Sequence, residues 1–233
     1  MLGALRPTDL DGWSRGNSVV LLAALSLSLW LGLPWPIGAA ALGSFFVLIA
    51  RARRQWSPAG QFGAANTVTT ARLSMVVALS VGLHGAPGWL QTTLVLGVLG
   101  LDGLDGWLAR RFGACSAFGA HFDMEVDALL VLTTSAELYL SGRYGAWALL
   151  AGVLRPAYVL CVALWPPRGG DMPRTLLGRS AFALVVAGHA LGLSWTGSGG
   201  HVAAALGTAA VTLSFARSFA YGYARSPRPI ADS

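Results

Sequence analysis

Long apolar stretches separated by short polar joints run through most of this chain and predict helices that cross a bilayer. A spanning helix needs about 20 mostly apolar residues. Such stretches fall at 17–34, 36–50, 66–83, 88–109, 118–141, 144–165, 176–195 and 201–222. The joints are rich in glycine and proline, as in Pro34-Trp35-Pro36, His84-Gly85-Ala86-Pro87-Gly88, Ser141-Gly142-Arg143 and Gly197-Ser198-Gly199-Gly200. The pattern gives an all-α integral membrane protein. A six-helix transmembrane core (61–225) follows an N-terminal segment and an extra transmembrane hairpin (1–60), making about eight spans. Residues 226–233 form a short tail. A cleaved signal peptide would compete for 17–34, with Ala39-Ala40-Ala41 as the cleavage region. The long apolar segment, and a second one before the arginine stop, favour a retained hairpin.

Composition agrees with burial in lipid. The 233 residues are 55% hydrophobic and only 11% charged, with mean hydropathy +0.60, where soluble domains carry about 25% charged residues. All 16 basic residues are arginine, and their placement sets an orientation. With the N-terminus cytoplasmic, Arg6, Arg15, Arg51, Arg53, Arg54, Arg110, Arg111, Arg168, Arg174, Arg179, Arg225 and Arg228 lie on the cytoplasmic side, and Arg143 alone lies in an outer loop. Both termini and the acidic run described next then face the cytoplasm. The net charge of +6 comes without any run of interleaved basic and aromatic residues, so nucleic acid is not a partner. Cys115 and Cys161 lack metal or redox spacing. The tryptophans gather near span ends, as an interfacial belt does.

The chemistry is concentrated in one run, Asp102 to Asp127, reading DGLDGWLARRFGACSAFGAHFDMEVD. Residues three or four apart share a helix face, so Asp102 and Asp105 point one way, as do Asp123 and Asp127. Two antiparallel helix ends then bring four carboxylates into one small space. At membrane depth such a cluster is costly without a cation. Oxygen donors at this density suit Mg²⁺ or Mn²⁺, and with Arg110 close by they suggest a phosphate site. Gly106 and Gly119 allow a bulky ligand to approach helix backbone. Glu125 points to the opposite face and pairs with an arginine there.

The spacing D-x2-D-G-x2-A-R-x8-G-x3-D-x3-D, met here at all eight fixed positions, resembles the signature of the CDP-alcohol phosphotransferases. These are membrane enzymes that make phospholipids by displacing CMP from a CDP-linked alcohol. The resemblance implies a six-helix core, a homodimer, a site open to the cytoplasm, and a divalent metal, Mg²⁺ or Mn²⁺. It implies Asp102, Asp105 and Asp123 as metal ligands. Asp127 becomes the general base with a part in metal binding. Gly106, Ala109, Arg110 and Gly119 line the nucleotide pocket. Asn66, Thr69 and Arg72 resemble the N-x-x-T-x-x-R opening of the family's first core helix, a polar face that approaches the nucleotide and its phosphates. The donor is a CDP-alcohol, with CDP-diacylglycerol as the expectation, and the acceptor is a small hydroxyl compound. Ala128 follows the last motif aspartate, where phosphatidylglycerol-phosphate synthases carry lysine and the phosphatidylinositol-phosphate type carries arginine, so the acceptor stays open.

Arg155, near the middle of the sixth stretch, needs a wet cavity or a partner. With Arg174 and Arg179 it is a candidate for gripping the acceptor. Glu137 and Arg143 are expected to pair at the outer end. His84, His121, His189 and His201 are too scattered for a metal site. Two other functions use intramembrane carboxylates. A cation- or proton-coupled transporter would want them at the midplane and within an inverted repeat. A prenyl-transfer enzyme would want its aspartates on distant helices. Neither matches the compact run.

Overall fold

The computed structural model describes residues 7–53, 55–57, 60–111, 116–166 and 176–224, with side chains for all of these but 7–9, 104–106, 108–110, 176–177 and 224. Among the described residues it holds eight α-helices and no strand. They are α1 (Pro7–Leu31), α2 (Trp35–Arg51), α3 (Gly63–Gly82), α4 (Gly88–Arg111), α5 (Ala117–Leu140), α6 (Leu149–Leu164), α7 (Leu176–Ser194) and α8 (Ser198–Ala224), with a 3₁₀ turn at Ala146–Ala148 before α6. Four of them are long and apolar enough to cross a membrane, over Leu10–Leu31, Gly63–Gly82, Ala146–Leu164 and Ser198–Tyr223. Trp35–Arg51 is apolar but shorter. In α5 the acidic residues 123, 125, 127 and 137 lower the hydropathy of an otherwise apolar helix.

The largest departure from the hydropathy pattern is α1, which starts at Pro7 and not at 17. Residues 7–16 are polar by composition, yet they extend the helix because their polar groups find partners in the protein. Trp13 Nε1 donates to the Ser44 carbonyl at 3.1 Å and Ser14 Oγ to Glu125 Oε1 at 2.8 Å, and the buried face continues at helical spacing through Asn17 and Ser18. Gly32 at φ +69° ends α1, and prolines at Pro34 and Pro36 open α2, whose first turn loses no intrahelical hydrogen bond to them.

Helix α5 is central. Every residue from Leu129 to Leu138 is buried, as a helix enclosed on all sides requires. It packs against α1, α3, α6 and α7, while α2 packs on α1 and α3, α4 on α3 and α7, and α8 on α7 and α6. The N-terminal hairpin is therefore part of the same bundle. Close approach rests on small residues, as it does between helices in lipid. A Cβ on Gly188 would lie 2.4 Å from the Ala203 carbonyl oxygen, and one on Gly207 2.7 Å from that of Leu184, so α7 and α8 touch backbone to backbone.

Chain direction sorts the two ends of the bundle. The start of α4 meets the end of α7, where a Cβ on Gly88 would fall 2.1 Å from the Leu193 carbonyl oxygen. The opposite end gathers the starts of α3, α5 and α7 with the ends of α2, α4 and α8. It carries Arg51, Arg53, Arg111 and Arg179, whereas Arg143 lies at the first end.

Candidate functional site

Three helix ends build the site. Asn66, Thr69 and Arg72 recur every three residues along the first turns of α3 and all face inward, 5%, 3% and 0% exposed. Asp102 comes from the last turns of α4, and Asp123 and Asp127 from the first turns of α5. The Arg72 guanidinium joins them. Its Nη2 lies 3.0 Å from Asp102 Oδ1 and donates to Asp127, while its Nη1 donates to Asp123. One carboxylate oxygen from each of Asp102, Asp123 and Asp127 lies within 4.8 Å of the others.

The loop before α3 holds this geometry. The Trp56 carbonyl accepts from Asn66 Nδ2 at 2.9 Å and from Ser116 Oγ at 2.9 Å. One carbonyl thus ties the start of α3 to the start of α5. Ser116 is extended, with φ −139° and ψ 156°, and its Oγ accepts the Gly119 N–H at 2.9 Å, which caps α5. Gly119 has to be small. A Cβ there would sit 3.0 Å from Asn66 Oδ1 and 3.2 Å from Ser116 Oγ.

Charge defines what the cluster can do. Three carboxylates around one guanidinium leave a formal charge of −2 on a site whose aspartate side chains keep only 22–35% of their exposure. Carboxylate oxygens this close repel one another unless a cation joins them. Hard oxygen donors with a charge deficit of two fit a divalent cation such as Mg²⁺ or Mn²⁺. The donor set therefore passes the chemical test for a metal site.

Not every residue named from the sequence falls here. Asp105, Gly106, Ala109 and Arg110 lie on α4, one to two turns beyond Asp102, and their side chains are outside the described residues. Arg174 also lies outside them, and Arg179 is exposed near the start of α7. Arg155 has a different neighbourhood. Its Nη2 donates to Glu125 Oε1 at 2.8 Å, and Glu125, 3% exposed, also accepts from Ser14 Oγ at 2.8 Å and from Asn17 Nδ2 at 3.4 Å. His121 Nε2 is 2.9 Å from Ser14 Oγ. Glu125 is two residues from both Asp123 and Asp127, so this network occupies the other side of α5 and joins α1, α5 and α6. The expected Glu137–Arg143 pair is corrected. Glu137 Oε2 is 2.9 Å from His84 Nδ1, and Arg143 Nη2 donates to the Leu193 carbonyl at 3.1 Å. His189 is fully buried on Thr134, 2.9 Å from its Oγ1.

Sequence reasoning assigned Arg72 to a nucleotide and missed its contact with the carboxylates. The signal was present, because a lone inward arginine at helical spacing from Asn66 needs an anion when buried. The polar face of α1 was missed as well, although Ser14, Asn17 and Ser18 share a face.

A family model described as CDP-alcohol phosphatidyltransferase matches residues 62–216, well over half the chain and the stretch from α3 into α8. No solved structure matches the chain.

Proposed function

The chain belongs to the CDP-alcohol phosphatidyltransferase family, a family of phosphotransferases, and we propose from that membership that it transfers a phosphatidyl group from CDP-diacylglycerol to a small hydroxyl acceptor, releasing CMP. The observation that carries this reading is the convergence of Asp102, Asp123 and Asp127 at one end of the bundle, with oxygens within 4.8 Å.

Asp102, Asp105, Asp123 and Asp127 would hold Mg²⁺ or Mn²⁺, which would draw charge from the donor's diphosphate during transfer. Asn66, Thr69 and Arg72, with Gly106, Ala109, Arg110 and Gly119, form the pocket for the nucleotide and its phosphates. Arg72 balances the carboxylates before the donor binds and turns part of its guanidinium to a phosphoryl oxygen afterwards. Asp127 takes the proton of the acceptor hydroxyl. The acceptor oxygen forms a bond to the phosphorus bearing the lipid alcohol. The bond from that phosphorus to the CMP oxygen breaks, and CMP leaves with the electron pair. Arg179, in the first turn of α7, and Arg174, which precedes that helix in the sequence, are proposed to hold the acceptor. Arg155 acts there only if it leaves Glu125.

The reading includes eight spans, cytoplasmic termini and a cytoplasmic site. Support comes from the arginines at the acidic end and Arg143 at the other. A homodimer is proposed on the family resemblance alone. The test is Asp127→Asn. It should abolish turnover while keeping part of the metal binding, because Asp102 and Asp123 remain. Near-normal turnover would remove Asp127 as the base.

A further inference from the structure

At the end of the bundle away from the aspartates lies a cavity of about 330 Å³ whose walls include His84, Gln91, Glu137, Ser141 and Arg143. Its polar walls are held in place. Gln91 Nε2 donates to the Leu83 carbonyl at 2.7 Å, and Ser141 Oγ to that of Leu138 at 2.6 Å. Glu137 is 2% exposed and uses Oε2 on His84, yet its Oε1 has no partner. Arg143 uses Nη2 on the Leu193 carbonyl, yet its buried Nη1 has no partner. A buried polar atom left without a partner costs on the order of 1–3 kcal/mol, so two such atoms on residues lining one cavity call for an occupant. A single water needs only about 10–15 Å³, far less than this cavity offers.

The two orphan atoms specify that occupant. Glu137 Oε1 can accept from a cation or strong donor, and Arg143 Nη1 can donate to an anionic oxygen such as that of a phosphate. Their charges cancel. A net anion would face Glu137, and a lone cation would leave Arg143 unserved. A molecule carrying both charges serves both atoms. The cavity also sits at a particular height. Trp89, Trp147 and Trp195, 66%, 39% and 57% exposed, surround the same end, and exposed tryptophan concentrates at the headgroup level of a bilayer. We propose that this cavity binds a phosphate–amine zwitterion, the head of a lipid in the leaflet away from the aspartate cluster, with the amine on Glu137 and the phosphate on Arg143. Glu137 lies ten residues beyond Asp127 on α5, about 15 Å along the helix, so this site is separate from the aspartate cluster and does not rest on the function proposed for it.

The experiment uses the full chain in detergent micelles and counts retained lipid by native mass spectrometry. The probes are a phosphoethanolamine-headed lipid, a phosphoglycerol-headed lipid, a sugar-headed lipid, and free phosphoethanolamine. Wild type should retain the phosphoethanolamine lipid at least about tenfold better than the other two lipids, and Glu137→Gln and Arg143→Gln should each lose that preference. Arg143→Gln spares the Glu137–His84 pair, and helix content with gel filtration reports folding of both variants. If free phosphoethanolamine binds and displaces the lipid in wild type alone, the chemistry stands and the source is soluble. Equal retention of the anionic or sugar-headed lipid, or an unchanged preference in folded variants, would overturn the proposal.

Discussion

Replacing Arg72 with Met tests the electrostatics of the site without touching an aspartate. The side chain is fully buried and meets three carboxylates, the Asp102 contact at 3.0 Å. At an effective dielectric of about 20, one such contact carries about 5 kcal/mol of gross Coulomb energy. Desolvation offsets most of that, and removing one member of a buried pair costs about 3–5 kcal/mol net. The aspartate side chains keep 22–35% exposure, so water takes up part of the loss, and about 2–4 kcal/mol is expected. For a chain of this size each kcal/mol lowers Tm by about 2–4 °C, which places the variant about 4–16 °C below wild type without metal. The variant also raises the formal charge of the cluster from −2 to −3 and removes the guanidinium that competes for the carboxylates. Mg²⁺ or Mn²⁺ should therefore raise its Tm more than that of wild type. The assay is thermal unfolding in detergent with chelator and with each metal. Unchanged Tm together with an unchanged metal increment would refute the reasoning, because Arg72 would then not be holding the carboxylates together.

Three further outcomes follow from the same geometry. Gly119→Ala, whose Cβ would crowd Asn66 Oδ1 at 3.0 Å, should cost about 1–3 kcal/mol by overpacking and lower CMP release, read by unfolding and by nucleotide assay. Glu125→Gln weakens the hold on Arg155 and should cost about 3 kcal/mol, yet keep the metal-induced rise in Tm because the network lies on the other side of α5. Chelator should lower the Tm of wild type more than that of Asp123→Asn, since the variant has lost one of the three converging donors; an equal drop in both would place the metal elsewhere.

The acidic run was legible because helical spacing is arithmetic. Asp123 and Asp127 share a face at a separation of four, and Glu125 between them must take the other. The structure shows both sides of α5 used in that way. Hydropathy located the apolar part of each helix but not the start of α1, because residues 7–16 are polar and find partners on α2 and α5. Pairing across helices was the least legible. The sequence offered Arg143 as the neighbour of Glu137 by proximity along the chain, but His84 reaches it from the α3–α4 joint. Arg155 needed a partner and Glu125 needed an arginine. Each half was readable alone, while their meeting depends on how α5 and α6 pack. That packing turns on Gly152, where a Cβ would lie 2.9 Å from Leu132 Cα, a contact no local pattern announces.

The most direct measurement is acceptor-dependent release of CMP from CDP-diacylglycerol by the purified protein with Mg²⁺ or Mn²⁺, across glycerol-3-phosphate, inositol phosphate, inositol, serine and choline. Release with one acceptor, abolished by chelator and by Asp102→Asn or Asp127→Asn, is the result expected if the aspartate cluster is a phosphatidyl-transfer centre. Release that persists undiminished in both variants, or no metal-dependent binding of CDP-diacylglycerol at all, would contradict it.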